Sequence, residues 1–145
     1  MSNIDDNDYN QCLKQRTHPI ISVNERKRKF VINNPNKKEV HQVTVDGCLP
    51  IKGIKCDYLF EVVDSKTVYY VELKGKDVKH ALEQLLATLS NSFIKSKHVG
   101  YKKRCVVVSS RVPQMDPSVQ RLQKQCRKQI KAILAIKNQR CEVKI

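Results

Sequence analysis

The sequence predicts an α/β domain: a mixed β-sheet flanked by helices, with the element order β-β-β-α-β-α. Three observations predict this class. Residues 39–73 contain three short β-rich segments, residues 77–93 repeat apolar side chains every three or four positions, and residues 105–108 form a continuous apolar run. A change from strand-like to helix-like periodicity, followed by a buried-type strand, is typical of a strand–helix–strand unit that follows a meander.

Turn-forming residues separate the predicted strands. The first strand, 39–45, is rich in β-branched residues and ends at Asp46-Gly47, a dipeptide that favours a turn. The second strand, 54–63, and the third, 67–73, are joined by Asp64-Ser65-Lys66, which predicts a hairpin. The three strands should therefore form an antiparallel meander.

Two helices are predicted after the meander. Asp77 is a suitable N-cap for the first, whose apolar positions run to residue 93. Residues 95–103 form a basic connection to the strand at 105–108. Asp116-Pro117 then predicts a second helix, extending to about residue 137, because proline is favoured at the first helical position. Residues 141–145 are a candidate for one more strand.

Composition indicates one globular domain with an anionic partner. The chain has 145 residues and a formal charge of +14, which favours nucleic acid because lysine and arginine displace counterions from phosphates. Residues 1–35 are expected to be a polar, partly ordered extension, and residues 36–145 the domain. With no apolar stretch of membrane-spanning length and no signal peptide, a cytoplasmic location is expected. The six cysteines lack zinc-site spacing and are interpreted as reduced and structural.

Asp57, Glu72 and Lys74 are the candidate catalytic residues. Glu72 and Lys74 lie two positions apart on one predicted strand and so project from the same face. The predicted hairpin would bring the strand of Asp57 beside them. Two carboxylates are suited to Mg²⁺ or Mn²⁺, and an adjacent ammonium can orient a water or stabilise charge on phosphorus. The pattern predicts metal-dependent phosphodiester hydrolysis, with Asp57 and Glu72 as metal ligands.

Asp57, then fourteen residues, then Glu72-Leu73-Lys74 resembles the PD-(D/E)xK nuclease superfamily, over roughly residues 39–109. The resemblance implies a restriction-endonuclease-like αβββαβ core, Mg²⁺-dependent cleavage of DNA or less often RNA, and frequent homodimers. It also implies that Gln84, on the helix after the Glu-x-Lys motif, joins the catalytic site. His80 lies one turn earlier on the same helical face.

The chain departs from the family pattern at two places. Cys56 stands where the family often has proline. The acidic residue usual on the family's first helix has no clear counterpart, and Glu25 and Glu39 are the candidates. Asp46 is interpreted as a turn residue.

Basic residues around the motif and on the second helix are the candidate nucleic-acid contacts, as a groove beside the cut site or a DNA-facing helix. They are Lys76, Lys79, His80, Lys102, Lys103, Arg104, Lys124, Arg127, Lys128 and Lys131. Three alternatives stay open: a Holliday-junction resolvase, a non-catalytic nucleic-acid-binding module of the same fold, and a basic structural protein in which Glu-x-Lys is coincidental.

Overall fold

The computed structural model describes residues 4–74, 77–110, 116–129 and 132–145, which form nine strands and four helices. The strands are β1 (Leu13–Arg16), β2 (Ile20–Glu25), β3 (Arg28–Asn33), β4 (Val40–Thr44), β5 (Tyr58–Val62), β6 (Thr67–Lys74), β7 (Lys102–Ser109), β8 (Ala132–Asn138) and β9 (Arg140–Lys144). The helices are α1 (Asp6–Gln11), α2 (Val78–Ser90), α3 (Ser92–Lys97) and α4 (Pro117–Gln129).

A six-stranded mixed sheet forms the centre, in the order β1-β4-β5-β6-β7-β8. Neighbours from β1 to β6 are antiparallel, whereas β6, β7 and β8 run parallel. Parallel neighbours need a crossover connection, and α2 supplies it between β6 and β7. The predicted α/β class with a mixed sheet and flanking helices is confirmed.

The two faces of the central sheet are covered differently. On one face, α2 packs against alternate residues of the strands, including Leu59, Tyr70 and Val107. On the other face lies a three-stranded sheet, β2-β3-β9, whose Phe30 and Ile32 pack against Phe60, Val71 and neighbouring residues. The central strands are therefore buried on both sides, which explains the apolar run at 105–108.

Helix α2 begins after the predicted N-cap and packs through the predicted apolar face. The Asp77 side chain accepts a hydrogen bond from the backbone N–H of His80 at 3.0 Å, and apolar positions such as Leu82 and Leu85 are fully buried. The helix ends at Ser90, earlier than the predicted residue 93. Asn91 stops it and accepts a hydrogen bond from the Ile94 N–H at the start of α3.

Two predictions about the chain ends are wrong. Residues 1–35 do not form a separate extension, because β1 pairs with β4 in the central sheet and β2 and β3 build the second sheet. The second helix does not reach residue 137 either: α4 ends at Gln129, and residues 132–138 form β8 beside β7. A short apolar run fits strand and helix alike, and Ile133, which falls within the predicted second helix, is 58 % exposed on an outer strand. The final strand is confirmed as β9.

Cys12 and Cys48 form a disulfide, so the interpretation of all six cysteines as reduced is wrong for this pair. Cys56, Cys105, Cys126 and Cys141 are free and buried. Of the helices in the described residues, none is long and apolar enough to span a bilayer.

Candidate active site

A pocket of about 240 Å³ opens at the end of the central sheet where β6 leads towards α2. We call it the acidic pocket; it is lined by Glu25, Arg28, Asp46, Asp57, Glu72, Leu73 and Gln84. Four carboxylates face one guanidinium, so the lining has a formal charge of −3 in a chain of formal charge +14. Such a pocket attracts cations although the protein as a whole attracts anions.

Asp57 and Glu72 meet inside the acidic pocket. Asp57 precedes β5 and its N–H donates to the Val71 carbonyl of β6 at 3.2 Å, which sets Asp57 beside the strand of Glu72. One Asp57 carboxylate oxygen accepts the Leu73 N–H at 2.8 Å, and Asp57 and Glu72 both line the pocket. Two carboxylates held together in a partly buried site repel each other unless one is protonated or a cation lies between them.

The pocket raises the pKa of Asp57. Burial is the largest cause, and the negative charges of Glu25 and Asp46 raise the pKa further. The hydrogen bonds from the Leu73 N–H and from Glu72 oppose the rise without cancelling it. The ionised carboxylate is therefore disfavoured while no cation is near.

Gln84 reaches the acidic pocket from α2, as the resemblance implies. Its Nε2 donates to the Lys55 carbonyl at 3.1 Å, which fixes the orientation of the amide. Its Oε1 is buried and has no hydrogen-bond partner among the described residues. Thr88, one turn later, accepts the Cys56 N–H at 2.8 Å and donates to the Gln84 carbonyl at 2.9 Å. Thr88 thus links the helix of Gln84 to the residue preceding Asp57.

The lining fits a hard divalent cation with incomplete protein coordination. Carboxylate and amide oxygens are the ligands that Mg²⁺ takes, and it commonly keeps water at its other positions. The unused Gln84 Oε1 is an acceptor that such a hydrated ion could satisfy. In the described part of the chain, no three His, Cys, Asp or Glu side chains are grouped so as to hold a metal by themselves. The pair Asp57 and Glu72 is the donor set available.

Glu25 and Asp46 are the additional acidic residues at the pocket; the sequence alone does not identify a third acidic residue beside Asp57 and Glu72. Glu25, at the end of β2, lines the pocket, whereas Glu39 is engaged elsewhere, at 2.6 Å from His41 Nε2. Asp46 lines the pocket because the Val45 and Asp46 N–H groups both bond the Asp57 carbonyl, at 2.9 and 3.4 Å. The turn that suits Asp46 thus also brings its carboxylate to the site.

The predicted basic contacts are dispersed. Lys79 and His80 are in the first turn of α2, at the pocket end of the sheet but outside the pocket lining. Lys124, Arg127 and Lys128 are exposed on α4. Lys76 and Lys131 lie outside the described residues, as does the side chain of Lys74, whose backbone ends β6.

Lys102, Lys103 and Arg104 do not lie beside the acidic pocket, so that expectation is wrong. Lys102 pairs with Thr67 at the start of β6, and Glu72 is five residues further along the same strand. At about 3.3 Å per residue, Lys102 is therefore about 16 Å from the position of Glu72 along the sheet. The parallel pairing of β6 and β7 places the start of β7 at the end of the sheet opposite the pocket.

A second buried polar cluster lies away from the acidic pocket. The Glu61 carboxylate of β5 accepts from the Tyr9 hydroxyl of α1 and lies 2.6 Å from His98 Nε2, and His98 Nδ1 is 2.7 Å from the Tyr70 hydroxyl. Burial alone would raise the pKa of Glu61, but the hydrogen bonds from His98, Tyr9 and His41 hold it below its ordinary value. No sequence motif marks this cluster, since its members are far apart in the chain.

Comparisons with protein-family models, with curated proteins and with solved structures find no match to this chain. The residues and geometry of the acidic pocket are therefore the features that indicate a function.

Proposed function

We propose that this protein is a metal-dependent nuclease that hydrolyses phosphodiester bonds of nucleic acid, most favourably DNA, with Mg²⁺ or Mn²⁺. The placement of the Asp57 and Glu72 carboxyl groups in one pocket carries the proposal. Like charges held together in a partly buried site favour a shared proton or a cation between them. The order β4, β5, β6, α2, β7, an antiparallel meander followed by a parallel crossover, supports a restriction-endonuclease-like core.

In the proposed mechanism, Asp57 and Glu72 hold the ion, which when bound activates water and offsets charge on the phosphate. The Leu73 N–H keeps Asp57 oriented towards the pocket. Gln84 Oε1 can accept a hydrogen bond from the attacking water, because its Nε2 is already engaged. Lys74, two residues after Glu72, is assigned to orient that water and to stabilise charge developing on the phosphate oxygens.

Cleavage of supercoiled plasmid tests the proposal. Wild type and Lys74→Ala are compared in Mg²⁺, Mn²⁺ and EDTA, with Lys102→Ala as the matched control, since that exposed lysine lies at the other end of the sheet. We expect nicking by the wild type and the control in either metal, no nicking in EDTA, and none by Lys74→Ala while DNA binding persists. Metal-independent nicking, or equal activity of both variants, would contradict the assignment.

The same assay, extended to other substrates, separates the alternatives. Preference for a four-way junction over linear duplex would identify a resolvase. Binding without cleavage of DNA or RNA in either metal would identify the non-catalytic module, which the lack of a third carboxylate ligand among the described residues favours. If charge-neutralised surface variants behaved like Asp57→Asn, the protein would be a basic structural protein.

The proposal includes a homodimer and a cytoplasmic location, and both come from the sequence alone. The Cys12–Cys48 disulfide opposes the cytoplasmic location, because disulfides are rare in reducing compartments. Alkylation of free thiols in freshly lysed cells, followed by mass analysis of Cys12 and Cys48, tests that location directly.

A further inference from the structure

The turn end of the β2–β3 hairpin, residues 25–28, lies at the acidic pocket and includes three of the four residues of the basic run Arg26-Lys27-Arg28-Lys29. Glu25 and Arg28 flank the two-residue turn and line the pocket, while Arg26 and Lys27 form the turn and are exposed. The hairpin therefore places one cation inside the pocket and two at its rim.

Arg28 lines the acidic pocket and has a buried donor without a hydrogen-bond partner among the described residues. The residue is only 9 % exposed, and its buried Nε has no hydrogen-bond partner among the described residues. Its nearest carboxylate partner, Glu25, is 3.7 Å away, beyond ordinary hydrogen-bond distance. Burying a guanidinium N–H without an acceptor costs free energy. A ligand with acceptor oxygens would remove that cost.

A phosphodiester has the oxygens that Arg28 lacks. Guanidinium groups bind phosphate oxygens through two parallel N–H donors, which a lysine ammonium does not offer in that geometry. The four carboxylates of the lining would repel a phosphate, so a cation fixed in the wall is needed to admit it.

We propose that the β2–β3 hairpin is the phosphate-binding element of the acidic pocket, with Arg28 contacting the phosphate to be cleaved and Arg26 and Lys27 contacting flanking phosphates of the same strand. This inference rests on the proposed function. Arg26 adopts the left-handed conformation, with φ of +56°, which a long side chain adopts at a cost. Lys66, in the turn before β6, adopts the same conformation with φ of +49°.

Binding of a fluorescein-labelled DNA duplex in EDTA, followed by anisotropy over a range of salt concentrations, tests the rim contacts. The double variant Arg26→Gln/Lys27→Gln is compared with Lys66→Gln/Lys144→Gln. The control also removes two exposed cations, Lys66 in a turn at positive φ and Lys144 beside Asn33, at the end of β3 opposite Arg28. Loss of two phosphate contacts should weaken binding on the order of tenfold and reduce the salt slope by about 2. The control should retain wild-type binding.

Arg28→Gln tests the buried contact, with circular dichroism to verify folding. We expect cleavage about a hundredfold slower, as for loss of one charge-stabilising donor, with EDTA binding near wild type. If the wild type cleaves and the hairpin variants match the control, the hairpin inference is overturned while the nuclease stands. If hairpin variants lose binding but the wild type cleaves nothing, the phosphate contact is supported and the nuclease falls. Absence of both binding and cleavage in the wild type rejects both.

Discussion

Replacing Glu61 by glutamine should destabilise the protein far more than removing a carboxylate from the surface. Glu61 is 7 % exposed and accepts hydrogen bonds from Tyr9 and His98, which are also buried. These contacts join α1 and the segment after α3 to β5, the strand that begins beside Asp57. Glu61→Gln keeps the side-chain shape but removes the charge.

The size of the effect follows from the contacts that are lost. Hydrogen bonds to a charged group contribute about 1.5–3 kcal/mol each. Both strong bonds end on the same carboxylate oxygen, so the glutamine carbonyl oxygen can still accept them, but both become weaker neutral bonds and the amide NH2 that replaces the second oxygen is left poorly satisfied beside His41. We expect a loss of about 3 kcal/mol in the free energy of unfolding. For a domain of this size, the midpoint of thermal unfolding should fall by about 10 °C.

Urea denaturation followed by far-ultraviolet circular dichroism measures the change, since the chain has no tryptophan. Asp64→Asn is the matched control: Asp64 is in the turn after β5, with a side chain 73 % exposed that pairs with Lys38 at 3.8 Å. Such surface pairs contribute less than about 1 kcal/mol.

The effect of Glu61→Gln should also depend on pH. Tyr9, His41 and His98 face Glu61, and their hydrogen bonds keep its pKa below the ordinary value despite burial. A lowered carboxyl pKa adds stability that is complete above the unfolded-state pKa, about 4.3, and is lost as pH falls through the folded-state pKa. The difference between wild type and Glu61→Gln should therefore be largest near neutral pH and shrink in acid. Equal losses in Glu61→Gln and Asp64→Asn, or a difference that grows in acid, would refute the reasoning.

Two further predictions concern the support of the pocket and the disulfide. Thr88→Val leaves the buried Cys56 N–H without its 2.8 Å acceptor, which should cost about 1–3 kcal/mol. The Thr88→Val variant should also cleave plasmid more slowly, because Asp57 is displaced, whereas the control variant Thr67→Val should cleave at the wild-type rate. Unchanged cleavage by Thr88→Val would show that Thr88 does not position the site. Cys12→Ser opens a disulfide that spans a sequence separation of 36 residues, which should lower stability by about 4 kcal/mol without reductant. Wild type should lose a similar amount in dithiothreitol and the variant nothing, as urea titrations would report; a wild type unaffected by reductant would contradict the disulfide.

The sequence predicts the centre of the fold well because there the local pattern and the tertiary contacts agree. In the meander β4–β6, apolar and polar residues alternate along the strands and the turns contain turn-forming residues. Helix α2 has both a capping residue, Asp77, and a continuous apolar face. The convergence of Asp57 and Glu72 follows from the same hairpin, since residues that pair across a short turn are fixed by register.

The sequence does not predict the strands that become buried only through contacts with residues far away in the chain. β2 and β3 read as a polar extension, because Arg26, Lys27 and Lys29 mask the apolar residues that pack on the central sheet. β8 has an apolar run that suits either type of element, and its pairing with β7 decides the outcome. Arg28 and Asp46 reach the pocket only through the second sheet and through the turn after β4, so their place in it has no local signal.

Under the proposed function, the charge distribution assigns binding and chemistry to different parts of the molecule. The formal charge of +14 draws a polyanion to the surface, whereas the acidic pocket, with a lining of −3, repels the phosphate that must enter it. Arg28 offsets only part of that repulsion, and a divalent cation between Asp57 and Glu72 would offset much of the remainder. Binding of nucleic acid should thus need no metal, because the exposed cations suffice, while entry of the phosphate into the acidic pocket should need it.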